Sequence, residues 1–145
     1  MNVDLNRGAV VRTDEAEVLQ SPTDLVKLLF TDGGDVQVAE ITSTDRVGPP
    51  VHTQEWHEVQ YVVSGEVEFW LDGGWHALGP GGVQVLPAGT PHTVRVPEGE
   101  AKILFVSMGA PYDAFIREMV ALDNDPDAPG SAKGEAATRH GVRSV

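Results

Sequence analysis

The sequence contains no cysteine, which excludes disulfides, thiolate metal sites and thiol nucleophiles together. Basic residues are scarce: 10 Lys and Arg stand against 22 Asp and Glu, for a formal net charge of -12. Phosphate recognition needs a basic face, so nucleic acid and anionic membrane surfaces are not expected partners. No stretch approaches the roughly eighteen apolar residues of a membrane span. The opening MNVDLNRGAVVRTDEAE lacks the apolar core of a signal peptide, so a cytoplasmic protein is expected. Against these absences stand 145 residues, 41% hydrophobic and 22% charged, enough for one domain with a sizeable core. The 16 glycines and 10 prolines favour many tight corners over long helices.

Taken in order, Ala9–Arg12 reads as a short strand, Asp14–Glu17 as a turn, and Val18-Leu19 as the start of the next segment. Leu25–Thr31 is compatible with a short helix begun at Ser21 or Thr23, or with a strand. Asp32-Gly33-Gly34-Asp35 is a hairpin signal and Val36–Ile41 alternates, which favours the strand. Beyond Gly48-Pro49-Pro50 come strand candidates at Val59–Val63, Glu66–Leu71, Trp75–Leu78, Val83–Leu86, His92–Val96 and Ala101–Ser107, each bounded by Gly or Pro. Short strands spaced about ten residues apart predict an all-β sandwich or barrel. After Pro111, Phe115, Ile116, Met119, Val120 and Leu122 form one apolar helical stripe. From Asp123 onward few large apolar residues remain, and residues 123–145 are expected to be a flexible tail behind a single domain, 1–122.

Four of the five histidines fall between Gly48 and His92. Residues two apart on a strand share a face. His52 and Gln54 therefore point one way, and Glu58, Gln60 and Val62 share a face that His57, Val59 and Tyr61 do not. His92, Val94 and Val96 form a third such set. Two imidazoles, a carboxylate and an amide facing one interior are costly unless paired with each other or with a ligand. His57 is expected outward, reaching the site only through a local bulge. His76 and Arg95 are expected at the surface, and His140 lies in the tail.

These motifs resemble those of the cupin superfamily, small jelly-roll β-barrels. His52-x-Gln54, three residues, Glu58, six residues and Gly65 match the spacing of the first cupin motif with one substitution, Gln54 for a histidine. Gly81, five residues, Pro87-Ala88-Gly89, two residues and His92 match the second, with Val96 where an asparagine often stands. The core motifs occupy 48–96. The resemblance implies a cupin barrel with one short C-terminal helix, a metal-binding type similar to quercetinase-like proteins, and frequently a homodimer. It also implies one divalent transition metal (Fe, Mn, Ni, Co, Cu or Zn) held by His52, Glu58 and His92, with Gln54 a weaker ligand and His57 an alternative one. Two histidines and a carboxylate form the set that leaves positions open on a metal. Glu58 is the expected catalytic proton acceptor, and Gln60, Val62 and Val94 the expected pocket for a small-molecule substrate. The implied activity is a metal-dependent dioxygenase acting on a small enolisable or phenolic compound. The alternatives are a metal-free binding module, or a redox-neutral cyclase, isomerase or lyase.

Overall fold

The computed structural model describes residues 8–31 and 36–145. Its strands are β1 (Glu17–Gln20), β2 (Asp24–Phe30), β3 (Val36–Ser43), β4 (His52–Thr53), β5 (His57–Ser64), β6 (Val67–Leu71), β7 (Gly74–Leu78), β8 (Val83–Leu86), β9 (Thr93–Arg95), β10 (Ala101–Met108) and β11 (Arg143–Ser144). Two helices follow β10: α1 (Asp113–Asp123) and α2 (Ala132–Arg139). Every strand pairing is antiparallel. One wall is a six-stranded sheet in the order β1-β2-β3-β10-β5-β8. The other comprises β7-β6-β9 and the short pair β11-β4, joined where His52 and His92 exchange backbone hydrogen bonds of 3.1 and 3.0 Å. The all-β fold expected from the strand spacing, and the jelly roll that the motif resemblance implies, are what is observed.

Asp24–Phe30 is a strand paired with Val36–Ser43, so the hairpin prevails over the helix. Its turn, Asp32–Asp35, lies outside the described residues. The strand expected at Ala9–Arg12 is absent; those residues are exposed and lead into one 3-10 turn at Thr13–Glu15.

The largest correction concerns 123–145, expected to be flexible. This segment contains α2 and β11, and β11 pairs with β4 through Arg143↔Thr53 and Ser144↔His52. Its anchors are small: Ala136 is fully buried, and Val142 joins a cluster with Trp56, Phe105 and Tyr112. A count of large apolar residues does not register such contacts, because their gain comes from strand pairing and tight packing. The one helix expected after β10 is therefore two. Gln37 of β3 fixes the start of α1, donating from Nε2 to Asp113 Oδ1 (2.9 Å) and accepting at Oε1 from the Asp113 backbone N–H (2.8 Å).

Along β5 the inward positions run Glu58, Gln60, Val62. Val62 belongs to an apolar cluster with Val67, Phe69, Val96, Ala101 and Ile103. The motif glycine Gly65 turns the chain beside this cluster at φ +78, where a Cβ would stand 2.3 Å from the Glu100 carbonyl oxygen. Only glycine combines that backbone angle with that approach. On β8 the alternation runs against apolarity: Gln84 and Leu86 point inward, while Val83 (51% exposed) and Val85 (61%) face out. Tyr61, the cross-strand partner of Val83, and Val63 two residues on are exposed on the same outer side, so the edge of the sheet carries an apolar patch.

Candidate active site

The loop–strand segment around β4 brings His52 and Gln54 over the barrel, and the turn before β9 brings His92 beside them. The backbone bridge between the two histidines brings their rings together, 4.5 Å between centroids and tilted by 55°. Each ring is anchored the same way: His52 Nδ1 lies 2.8 Å from the Pro50 carbonyl oxygen, and His92 Nδ1 lies 2.8 Å from that of Thr90. A carbonyl only accepts, so both Nδ1 atoms carry the hydrogen and the neutral rings keep the Nε2 lone pair free. Burial lowers the pKa of both imidazoles, which favours this neutral form.

Glu58 is 4% exposed. Its Oε1 accepts from the Trp56 indole N–H at 2.9 Å, and its Oε2 accepts from Gln60 Nε2 at 2.8 Å. His92 Nε2 stands 3.8 Å from Oε2, too long for a hydrogen bond, and with the ring neutral the two atoms make no ion pair. Desolvation pushes the Glu58 carboxyl above its ordinary range; the donors Trp56 and Gln60 oppose the rise, with further help from Gln54 and His52. Gln54 Nε2 itself is buried without a hydrogen-bond partner. Gln84 Nε2 and Oε1 and Ser107 Oγ are likewise buried without partners.

Of the residues expected from the sequence, His52, Gln54, Glu58, Gln60 and His92 come together. Val62 and Val94 do not line this group. Val62 is fully buried one step further along β5, and Val94 packs against it in the apolar cluster. His57 points outward, where its Nδ1 accepts from the Ala88 backbone N–H at 2.9 Å. The strand alternation is unbroken there, so no bulge turns it into the barrel as an alternative ligand. His76 lies outside with Nε2 3.2 Å from the Leu71 carbonyl, and Arg95 lies over the Trp75 ring, 3.7 Å from its centroid, beside Glu68. His140 pairs with Glu118 at 2.7 Å, away from the barrel group.

Trp56, Gln84 and Ser107 are the site-wall residues that the sequence reading did not assign. For Trp56 the signal was its place two residues before Glu58. Gln84 and Ser107 each sit among apolar neighbours, and alternation alone does not say which set is inward.

The two free Nε2 lone pairs and the nearby carboxylate are donors of the kind that divalent first-row metals accept. The Nδ1–H···O=C bonds are the outer contacts that orient ligating imidazoles. Glu58, however, turns both oxygens to Trp56 and Gln60. Among the described residues no three His, Cys, Asp or Glu side chains are gathered into a metal-holding group. The donors thus fit a metal in kind, while the carboxylate is committed to Trp56 and Gln60.

A two-walled antiparallel barrel with a histidine pair and a glutamate directed inward fits the jelly-roll barrel that the motif resemblance implies. Residues 40–107 match the family described as "Cupin domain". Among solved structures, the chain is similar to KdgF from Halomonas sp. at 21% identity, covering 73% of this chain and 99% of that one, with a TM-score of 0.64. The polyketide cyclase RemF from Streptomyces resistomycificus matches at 21% identity, covering 73% and 82%, with a TM-score of 0.60. An RmlC-like cupin from Shewanella frigidimarina matches at 19%, covering 74% and 96%, with a TM-score of 0.64. At these identities the likeness is one of fold. No curated protein matches the sequence. Among the described residues no helix is long and apolar enough to cross a membrane.

Proposed function

We propose that the chain is a cupin-type enzyme that takes a proton from a small enolisable or phenolic compound at Glu58, beside the His52–His92 pair. The observation that carries this reading is the shared anchoring of the two imidazoles, which leaves both Nε2 lone pairs free, with that of His92 3.8 Å from one buried carboxyl oxygen. In this reading His52 and His92 hold one divalent transition metal, with Glu58 the nearest carboxylate. When bound, such an ion acidifies a substrate hydroxyl and stabilises the resulting anion as a Lewis acid. The finer form of the proposal is a dioxygenase, in which the deprotonated substrate reacts with dioxygen. A redox-neutral elimination or cyclisation is the second reading. The hydrogen-bonded, pKa-raised carboxyl favours it, and it accords with the polyketide cyclase among the similar structures.

Elemental analysis of untagged protein, with His92→Ala beside it, tests the metal. The native chain should hold close to one equivalent of a transition metal after reconstitution, and His92→Ala should lose most of it. Native protein that stays metal-free would refute that part of the reading. Oxygen uptake during turnover of phenolic substrates separates the dioxygenase from the redox-neutral form.

The proposal includes a homodimer formed through the outer face of β5 and β8. There Tyr61, Val63, Val83 and Val85 expose an apolar patch at a sheet edge, the kind of surface a second copy covers. Sedimentation should give twice the 15.5 kDa chain mass, and Val85→Glu should shift the species to monomer. Native chain sedimenting as monomer at micromolar concentration would rule the dimer out.

A further inference from the structure

Two polar side chains in the barrel wall are buried with nothing to bond. Gln84 is 5% exposed and both ends of its amide lack a partner; Ser107 is fully buried and its Oγ lacks one. Unpaired buried polar groups are destabilising, so two of them side by side call for a physical account. The strand register puts both next to the Glu58–Gln60 pair. Ser107 of β10 is the direct cross-strand partner of Glu58, and Gln84 of β8 is that of Gln60. Direct partners share a face and stand about 5 Å apart at Cβ, so their polar ends can meet. The neighbour of Ser107 on its other side, Gln37, is committed at both ends of its amide to Asp113.

In the observed arrangement Glu58 Oε2 accepts from Gln60 Nε2 at 2.8 Å, while Gln84 and Ser107 bond nothing. The same side chains permit a second arrangement. Gln60 Nε2 donates across the strand to Gln84 Oε1, and the Ser107 hydroxyl donates to the Glu58 carboxylate in its place. Trp56 keeps its hold on Oε1 in both. The exchange replaces an amide of fixed direction by a hydroxyl whose hydrogen rotates to suit its acceptor. A carboxylate held by Ser107 can therefore turn without losing its donor, whereas one held by Gln60 cannot.

We propose that Gln84 and Ser107 are positioning residues for Glu58: Gln84 takes over the Gln60 amide and Ser107 takes over the carboxylate, which frees Glu58 to turn toward the histidine pair. Their unpaired atoms are the unused half of this exchange. The inference rests on the reading of His52, Glu58 and His92 as the reaction site. It adds the device by which a carboxylate committed to Trp56 and Gln60 becomes available there.

Thermal melts of the full chain, kept free of metal with a chelator, test the exchange without reference to turnover. Gln84→Met, similar in length and apolar, should leave the melting temperature unchanged or raise it, because the amide it removes bonds nothing. In a Glu58→Met background Gln60 has lost its acceptor and turns to Gln84, so there the same change should lower the melting temperature by about 4 °C. A purely structural glutamine would give the same shift in both backgrounds. Equal shifts, or a fall in the native background, overturn the exchange. Cobalt(II) titration reads the freed carboxylate: Gln84→Met and Ser107→Ala should each weaken binding about tenfold. Gln84→Met should add nothing in a Gln60→Met background, where no amide remains to be taken over. Native cobalt affinity in both single variants overturns the positioning role. A native chain that takes up no cobalt would remove the metal reading of the site, and the melts would still decide the exchange.

Discussion

Glu58→Gln is expected to lower turnover by at least about a hundredfold, the scale of a lost general base, while the protein stays folded. The substitution keeps the shape of the side chain. Glu58 accepts one hydrogen bond from Trp56 and one from Gln60. A glutamine can still accept from the indole, and Gln60 can rotate its amide to present oxygen to the new N–H. The buried charge is gone, and with it a cost that depends on pH. Because burial raises the folded-state pKa of Glu58, the folded chain holds this proton more tightly than the unfolded chain does. The native protein therefore loses stability as pH rises from the unfolded carboxyl pKa of 4.5 through the raised folded value, and the variant does not. The two histidines act on the acid side: their lowered pKa values mean that stability falls as pH drops below 6.5, where only the unfolded rings take up protons. Thermal melts from pH 4 to 8 should show the Glu58→Gln advantage growing with pH. A variant with native turnover, or one less stable than native at pH 8, would contradict this account of Glu58.

Trp56→Ala carries the largest expected loss of stability, about 3–5 kcal/mol, or a fall of roughly 10 °C in melting temperature. The indole is 1% exposed and packs against Tyr112 (5.9 Å between centroids) and Phe115 (5.5 Å), so its removal opens a cavity between the barrel and α1. Trp56→Phe separates packing from hydrogen bonding. It retains most of the apolar contact but deletes the Nε1–H, leaving Glu58 Oε1 buried and unpaired at a cost of about 1–3 kcal/mol. Loss of a donor that holds the carboxyl down should also move the acid limb of the pH–activity profile upward. An unshifted limb in Trp56→Phe would mean that the indole serves packing alone.

The barrel and the inward histidines and glutamate were legible because both depend on short-range regularities. Period-two alternation put Glu58 and Gln60 on one face of β5, and Gly or Pro at each corner marked the strand ends. The motif spacing brought His52 and His92 into one group across forty residues, since an antiparallel barrel returns its strands to the same interior. Alternation says which residues share a face but not which face is buried. Hence Gln84 points inward with Val83 and Val85 outside, and Val62 lies among apolar neighbours instead of beside the site.

Residues 123–145 show the other limit. Composition measures what a segment could bury by itself, and by that measure it is loose. Its order comes from pairing with β4 and from Ala136 and Val142 filling space left by other elements. Local periodicity and turn chemistry determined the all-β fold and its corners, and the motif spacing shared with cupins pointed to His52, Glu58 and His92 as one group. Tertiary structure alone decided that Trp56 and Gln60 hold the Glu58 carboxyl, that backbone carbonyls free both Nε2 atoms, and that Gln84 and Ser107 stand unpartnered across the strands from Gln60 and Glu58. Each of these is a contact between segments distant in the chain or a choice of rotamer, set by packing that no local pattern encodes.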